Sequence, residues 1–445
     1  MSSVNLLERV AQQLTSLIPP HSRLLIALSG GVDSVVLLHL LQQLKPRFDW
    51  QLHAVHVHHQ LSPHADRWAN FCAQLCADYA IPFQLEHIDI TPLREQGVEA
   101  AARQLRYQAL AKHASDFLLL AHHADDQAET LLLQLLRGSG VKGAAAMPLL
   151  AQRECTWLRP LLNVTRSEIV AYARAKNLAW IEDDSNTDTR YARNFLRLKV
   201  MPVLAEKFPA YRQTLTRSTQ HFAEAASLLD ELAALDAAQS IAGETLLLSA
   251  LQALSATRAK NLLRYFLQQR GAPMPQAVQL EELLAQLLSA REDAMLCVDF
   301  SGWQVRRYQG AVYAQPTLPD CAASLSLPWQ NEEALFWSPL NTQLHFLAAR
   351  GEGISLAKLA RAPVTLRLRQ GGETLRPAAK SATRTLKNLL QEQGVPPWLR
   401  ARLPLLYCGE ELVCVAGLIA ADFQVREGEQ GVQVRMEEAR ASGLI

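Results

Sequence analysis

From Arg23 to about Asp184 the chain switches repeatedly between two rhythms. Short unbroken apolar runs alternate with longer stretches in which apolar residues recur every three or four positions. RLLIALSG reads as a strand buried on both faces, and VDSVVLLHLLQQL as the helix that follows it. QLHAVHVHH, FQLEHIDI and FLLLAHH read as three further strands. ADRWANFCAQLCADYA, VEAAARQLRYQALAKHA and DDQAETLLLQLLRG read as the helices that follow them. Strand–helix alternation of this kind predicts an α/β fold with a parallel sheet covered by helices on both faces. Ligands of such sheets bind beyond the carboxyl ends of the strands.

After Phe208 and Pro209 the rhythm becomes helical in TRSTQHFAEAASLLDELAALDAAQS, ATRAKNLLRYFLQQR and AVQLEELLAQLLSA. QVRRYQGAVYAQ resembles a short hairpin attached to these helices. From about Pro363 strand-like runs return (VTLRLRQ, LPLLYCGEELVCVAGLIA) around one helix, TLKNLLQEQG. A chain of 445 residues is too long for one core. The expected division is an α/β domain over residues 1–210, a mainly helical domain over 211–328, a linker over 329–362 and a small α+β domain over 363–445. No internal repeat or low-complexity stretch is evident.

A hydrophobic fraction of 49% and a charged fraction of 20% are those of an ordinary globular protein. The net charge of +1 says nothing by itself about a polyanionic partner. Seven cysteines are scattered without a CxxC pair, and Cys72 and Cys76 are spaced for a helical core stripe rather than a ligand pair. Free thiols without a disulfide framework fit a reducing cytoplasm. The first 20 residues form an amphipathic helix containing Glu8 and Arg9, unlike a signal peptide. No run approaches the ~20 apolar residues that cross a bilayer. A cytoplasmic protein with no membrane partner is expected, and nothing points to a stable protein partner.

SGGVDS, residues Ser29, Gly30, Gly31, Val32, Asp33 and Ser34, lies between the first strand and its helix. The two glycines allow a tight turn and close approach of backbone to a ligand. The helix behind them directs unpaired N–H groups and its dipole at the turn, which suits an anion. Ser29 and Ser34 add hydroxyls. Asp33 would repel phosphates unless a cation intervened, and Mg2+ bridging the two resolves the conflict. No Gly-Lys-Ser/Thr follows, so this is not a Walker A loop. It resembles the pyrophosphate loop (PP-loop) of the N-type ATP pyrophosphatases, which cleave ATP between the α and β phosphates. His56, His58 and His59 end the second strand. Alternation sends the first two to one face and the third to the other, which favours pocket lining or packing over a metal site.

HHADDQAET follows the fourth strand and brings His122, His123, Asp125, Asp126 and Glu129 to the same sheet edge. Asp126 and Glu129 are three apart and share a helical face. They can cap the helix start, and a close carboxylate pair is also suited to hold an ammonium group. The glycines at 138, 140 and 143 imply a tight, mobile loop. Thr165, with Glu168 three residues on, opens a further helix as a capping box.

WIEDDSNTDTRYARNFLRLKVMPVL, from Trp180 to Leu204, runs from Glu182, Asp183, Asp184 and Asp188 into Arg190, Arg193, Arg197 and Lys199. Arg193 and Arg197 lie four apart on one face, suiting an AMP phosphate, a leaving pyrophosphate or an RNA backbone. EDDSN…D…YARNFLR closely resembles the tRNA(Ile)-lysidine synthetases. The resemblance continues through RQGGETLRP, TRTLKNLLQEQGVPPWLR and PLLYCGEELVCVAGL, which look like the last domain of the longer, three-domain members. From Arg361 to Arg402 there are nine basic residues, including Arg376, Arg384 and Lys387, against two acidic ones, Glu373 and Glu392. Such a local surplus is the footprint of a phosphate-backbone partner. Trp398 is the only aromatic residue among them, which favours phosphate docking over base stacking.

The resemblance implies a ligase acting on an isoleucine tRNA with a CAU anticodon. ATP adenylates the C2 oxygen of the wobble cytidine, and the L-lysine side-chain amine then displaces AMP. By position within the matching motifs, residues 29–34 bind the nucleotide, Asp33 holds Mg2+ and Asp126 and Glu129 grip lysine. Arg197 lies near the phosphates, and Arg193, Arg376, Arg384 and Lys387 contact the tRNA. Asp33, Asp126 and Arg197 form the catalytic set. Either Arg103 or Arg106 belongs at the site. Sulfur-inserting tRNA enzymes of the same superfamily are the nearest rivals, and the missing CxxC pairs argue against them.

Overall fold

Helix α1 (Ser3–Thr15) leads into β1 (Arg23–Ala27), α2 (Val32–Phe48), β2 (Gln51–His58), α3 (Ala65–Asp78), β3 (Phe83–His87) and α4 (Val98–Ala111). There follow β4 (Phe117–Leu119), α5 (Ala124–Leu136), α6 (Val141–Ala144), β5 (Leu150–Gln152), β6 (Thr156–Leu158) and α7 (Arg166–Ala175). The computed structural model describes residues 3–60, 62–89, 91, 98–113, 115–182, 187–291, 295–318 and 326–438. Asp183 and Asp184 of the acidic motif, with the Ser and Asn after them, and Cys321 lie outside the described residues.

The strands form one sheet in the order β3-β2-β1-β4-β6-β5. All neighbours run parallel except β5, which is antiparallel to β6. The apolar runs read from the sequence are unbroken because both faces are covered. Leu24 and Ile26 of β1 join Leu52, Ala54 and Leu119 in a core with α1, α2, α3 and α7. Leu25 points the other way, with Val55, Val57 and Leu118, onto Ala109 and Leu110 of α4. Fully burying one such side chain contributes about 1.5–3 kcal/mol. Cys72 and Cys76 sit in the first core with no exposure, as their spacing suggested. Burial pushes both thiols up to about 12. The glycine-containing loop after α5 folds into the single turn of α6.

Beyond α7 come α8 (Ala192–Phe195), one π-helical turn (Leu196–Val200), α9 (Met201–Lys207) and α10 (Tyr211–Ala238). Two compact units divide inside α10, as Met1–Glu231 and Leu232–Ile445. This division falls later in the chain than the domain boundary expected at 210. Tyr211 packs with Ala128 of α5 and Met201 of α9, which ties the start of α10 to the first unit.

In the second unit, β7 (Ile241–Ala242), β8 (Thr245–Leu247), α11 (Leu248–Ala253), α12 (Ala256–Gln269) and α13 (Ala277–Ser289) precede β9 (Cys297–Phe300), β10 (Trp303–Tyr308) and β11 (Ala311–Pro316). The hairpin read from QVRRYQGAVYAQ is β10–β11. It belongs to a five-stranded sheet, β7-β8-β11-β10-β9, whose described pairings are all antiparallel. This region is mainly helical, as expected, and the sheet packs against its helices. Strands of two to four residues are too short to display alternation in the sequence.

Residues 329–362, expected as a linker, are a structured part of the last domain. They contribute the strands Ala334–Trp337, Thr342–Arg350 and Ile354–Ser355 and the turn of helix Leu356–Leu359. Thr342–Arg350 pairs along its length with Gln430–Glu438. Trp329, Trp337 and Phe346 share a core with Leu366, Leu386 and Val413. Its partner strand lies some eighty residues further along the chain, so the segment alone shows no reason to be ordered. Among the described residues no helix is long and apolar enough to cross a membrane.

Candidate active site

The residues between β1 and α2 form a cradle shaped from within. Ser34 Oγ accepts the backbone N–H groups of Ser29 (3.2 Å) and Gly30 (3.1 Å) and donates to the Gly31 carbonyl (3.0 Å). Ser34 is buried, so its hydroxyl holds the turn in shape while Ser29 lies at the surface. Gly30 has φ +85°, and a Cβ there would stand 2.6 Å from Ile181 Cδ1 and 3.2 Å from Cys72 Sγ. Its carbonyl accepts the Ile181 N–H at 2.9 Å, which holds Ile181 against the loop. Gly31 is the N-cap of α2, with Val32 buried behind it.

Asp33, in the first turn of α2, faces the start of α5. Its Oδ1 lies 3.6 Å from His123 Nε2 and its Oδ2 lies 3.8 Å from an Arg166 amino nitrogen. Oδ1 is buried without a hydrogen-bond partner. Burial pushes the Asp33 carboxyl up from its ordinary value, against the pull of His123 and Arg166. An orphaned, desolvated carboxylate oxygen is a place where a cation fits, while the helix N-terminus beside it favours the phosphates that such a cation would accompany. Mg2+ needs only one or two protein carboxylates when phosphates and water complete its shell. Among the described residues no group of three or more His, Cys, Asp or Glu is placed to hold a metal ion by itself.

The acidic helix start meets the basic helix. Glu129 is almost fully buried, its side chain 2% exposed. Its Oε1 accepts from Arg197 Nε at 2.7 Å, and its Oε2 from Arg193 Nε at 2.8 Å and an Arg197 amino group at 2.9 Å. Asp126 Oδ1 accepts from amino groups of Arg193 (3.1 Å) and Arg197 (3.4 Å). Asp126 Oδ2 accepts the His123 backbone N–H at 3.0 Å, the helix-capping bond that the sequence suggested. Burial works to raise the Asp126 carboxyl, but His123, Arg193 and this N–H outweigh it and hold it below its ordinary value. Burial opposes the Arg197 charge, but the Glu129 contacts and Asp126 raise its pKa further.

Asp126 and Glu129 thus share a face and adjoin Asp33, since His123 Nε2 is 3.5 Å from Asp126 Oδ2. All four of their oxygens are already engaged. Arg193, expected among the tRNA contacts, turns inward instead, because a buried carboxylate needs counter-charge. Arg190 and Lys199 point outward, and Asp188 holds Arg190.

Several neighbours were not singled out from the sequence. Arg166 opens α7 beside Asp33, and its backbone N–H donates to Asp125 Oδ2 at 2.8 Å. Arg212 of α10 pairs with Asp125 through a short contact. Arg159 is buried and donates to the Pro148 carbonyl. Thr165 accepts from the Glu168 N–H and caps α7, as read from its spacing. Between Arg103 and Arg106, only Arg106 acts on His59 and His122, and it is the more sheltered of the two. Burial pushes His122 down to about 3 and His59 to about 4, so both are neutral. His56 donates to the Leu28 carbonyl at 2.8 Å, and His58 Nε2 meets Asp66 at 3.1 Å. These two histidines pack the strand end.

A loop for phosphates beside paired carboxylates fits many nucleotide-using reactions. The comparisons narrow the choice. Residues 5–204 match the family model of a PP-loop domain, 246–313 that of the TilS substrate binding domain and 364–436 that of the TilS substrate C-terminal domain. The tRNA(Ile)-lysidine synthase of Nitrosomonas europaea is 44% identical over 428 residues, spanning 95% of this chain and 93% of that one. The chain belongs to the tRNA(Ile)-lysidine synthase family. Family members from Azoarcus sp. (43% identical, 93% and 92% of the two chains) and Coxiella burnetii (39%, 97% and 96%) cover the same span.

In this lysidine synthase family member the basic residues at 361–402 are more balanced than their count suggested. Arg367 pairs with Glu410, Arg376 with Asp422, Arg369 with Glu373 and Arg384 with Glu392. Two of those acids lie beyond residue 402, where a window on the sequence does not see them. Arg400 is buried, donating to the Val395 carbonyl and the Tyr308 hydroxyl. Lys387 is exposed, and the Arg376 and Arg384 pairs are solvent-facing, so their partners exchange at little cost. Trp398 is half-buried, with Tyr308 and Tyr313 edge-on to it and the Arg306 guanidinium over its ring.

Proposed function

We propose that the protein ligates L-lysine to C2 of the wobble cytidine of a CAU-anticodon isoleucine tRNA, giving lysidine, AMP and pyrophosphate. Family membership over nearly the whole chain supports the reaction. One geometric observation supports its location. The phosphate loop and the carboxylate pair meet through His123, 3.6 Å from Asp33 on one side and 3.5 Å from Asp126 on the other.

The triphosphate lies in the loop at 29–34, whose turn Ser34 holds in shape, and the N–H groups at the N-terminus of α2 face it. Asp33 would hold Mg2+, which when bound supplies charge neutralisation for the phosphates. The cytidine C2 oxygen attacks the α-phosphorus, and the bond to the β-phosphate oxygen breaks to release pyrophosphate. The base must leave the anticodon stack to reach this edge. The lysine ε-amine then attacks C2, the C2–O bond breaks, and AMP takes the electron pair. Asp126 and Glu129 orient the ammonium group, and a carboxylate there can accept the proton lost as the amine attacks. Arg197 lies beside the phosphates, and Arg376, Arg384 and Lys387 dock the RNA backbone. A cytoplasmic location goes with this substrate.

Incubation with L-lysine, Mg-ATP and a CAU-anticodon isoleucine tRNA, followed by nucleoside mass analysis, tests the reading. A cytidine that gains the mass of lysine less water is expected. An unmodified or thiolated cytidine would overturn it.

A further inference from the structure

The carboxylates assigned to lysine are not vacant. Arg193 and Arg197 occupy every oxygen of Glu129 and the Oδ1 of Asp126 through hydrogen bonds of 2.7–3.4 Å. A guanidinium offers donors where a lysine ammonium would place its own, so each arginine is a stand-in for the substrate's charge. Among the described residues, the ion-paired carboxylates and guanidiniums at this edge match without any ligand. Asp33, Asp125, Asp126 and Glu129 face Arg166, Arg193, Arg197 and Arg212.

Two simple additions to this balance are both unfavourable. Lysine alone would have to displace an arginine into an unpaired state. Nucleotide alone would draw the arginines toward its phosphates and leave Glu129 buried without counter-charge. Added together, the two ligands make an exchange in which every charge keeps a partner: guanidiniums to phosphates, ammonium to carboxylates. Planar guanidiniums suit phosphate oxygens especially well. Arg193 lies in α8 and Arg197 in the π-helical turn Leu196–Val200 that follows it, a wide turn of the kind found at functional sites.

We propose that Arg193 and Arg197 are specificity-determining residues that hold Asp126 and Glu129 closed to ammonium groups until nucleotide phosphates engage them. Lysine binding is then conditional on nucleotide, and free lysine or other amines do not settle in the site ahead of it. Linkage makes the effect reciprocal, so lysine tightens nucleotide binding by the same factor. This inference rests on the assignment of Asp126 and Glu129 to lysine.

Equilibrium dialysis of labelled L-lysine against the full chain, with and without α,β-methylene ATP and Mg2+, tests it. In the wild type the nucleotide analogue is expected to tighten lysine binding by about 10-fold or more, within the usual range for coupled sites. Arg193→Ala leaves Glu129 paired with Arg197 but opens one position. It should bind lysine without nucleotide and show less than about a twofold effect of the analogue. Equal wild-type affinity in the two conditions overturns the proposal, whatever the variant does. Glu129→Gln separates the two levels. If it weakens lysine binding while the wild type shows no coupling, the lysine assignment stands and the closure by arginine is wrong. If it leaves lysine affinity in the presence of the analogue unchanged, the assignment itself fails and the inference with it.

Discussion

Replacing Gly30 with alanine tests how the phosphate loop is built. The backbone at this position has φ +85°, where an L-residue suffers the clash that disfavours left-handed conformations, about 1–2 kcal/mol. The new Cβ would lie 2.6 Å from Ile181 Cδ1 and 3.2 Å from Cys72 Sγ. Ile181 Cδ1 is the end of a side chain and can turn away, whereas Cys72 is fixed in the core. Overpacking of this kind costs about 1–3 kcal/mol, and the movable methyl puts the value toward the lower end. The expected total is about 2–4 kcal/mol. Gly138→Ala is the control, because φ is +71° there but nothing lies within 4 Å of the added atom. It should cost only the backbone share, about 1–2 kcal/mol. For a unit of 231 residues each kcal/mol shifts Tm by about 2–4 °C. Calorimetry of the full chain should therefore show the first-unit transition of Gly30→Ala several degrees below that of Gly138→Ala. Displacing Ile181 also disturbs its bond to the Gly30 carbonyl, so tRNA-dependent ATP–pyrophosphate exchange should fall in Gly30→Ala more than in the control. Matching transitions and matching exchange rates in the two variants would refute the packing argument.

Three further outcomes follow from the site and the second unit. Asp33→Ala should lower adenylation by about 100-fold or more, since charge stabilisation by a bound cation is worth several kcal/mol, while leaving tRNA affinity nearly unchanged. Turnover like that of the wild type would contradict the Mg2+ role. Arg384→Ala and Lys387→Ala should each weaken tRNA binding and flatten its salt dependence, by about 0.7–0.9 in log–log slope for every phosphate the variant no longer neutralises. An unaltered slope would remove this face from the interface. The Asp126 carboxyl is held below its ordinary value, so its ionised form contributes stability above the unfolded carboxylate range and loses it as pH falls through the lower folded value. Asp126→Asn should be least stable relative to wild type near pH 7, with the gap closing below about pH 4. Urea unfolding at both pH values checks this, and a gap independent of pH would show that Asp126 is not held ionised.

Much of the first unit was legible because its signals are local. A short unbroken run such as RLLIA, ending in a glycine turn, reads as a strand covered on both faces, and Leu24, Leu25 and Ile26 divide between two cores as alternation requires. Thr165 and Glu168 are three residues apart, so their mutual capping is visible within one turn. The second unit resisted for the opposite reason. Thr342–Arg350 is ordered by pairing with Gln430–Glu438, and no feature within either strand announces a partner so distant in sequence. The start of α10 belongs to the first unit because Tyr211 meets Ala128 and Met201, a contact among three helices that a boundary drawn from composition cannot foresee.

The site divides along the same line, with a chemical consequence. Residue types and spacing brought Asp126 and Glu129 to one face and Arg193 and Arg197 to another. Each pair, read alone, looked like a ligand group waiting for an external charge. Folding lets each pair satisfy the other, and burial makes this necessary: with Glu129 only 2% exposed, an unpaired carboxylate would be more costly than any exposed ion pair is favourable. A functional cluster of both signs in one sequence should therefore be expected to close on itself when no ligand is bound. Its substrates must then compete with the protein's own side chains, and a substrate pair carrying opposite charges does so at far lower cost than either substrate alone. A nucleotide and an amino acid with a terminal ammonium are such a pair, which is why the internal ion pairs of this edge fit a two-substrate ligase better than a site for one anion.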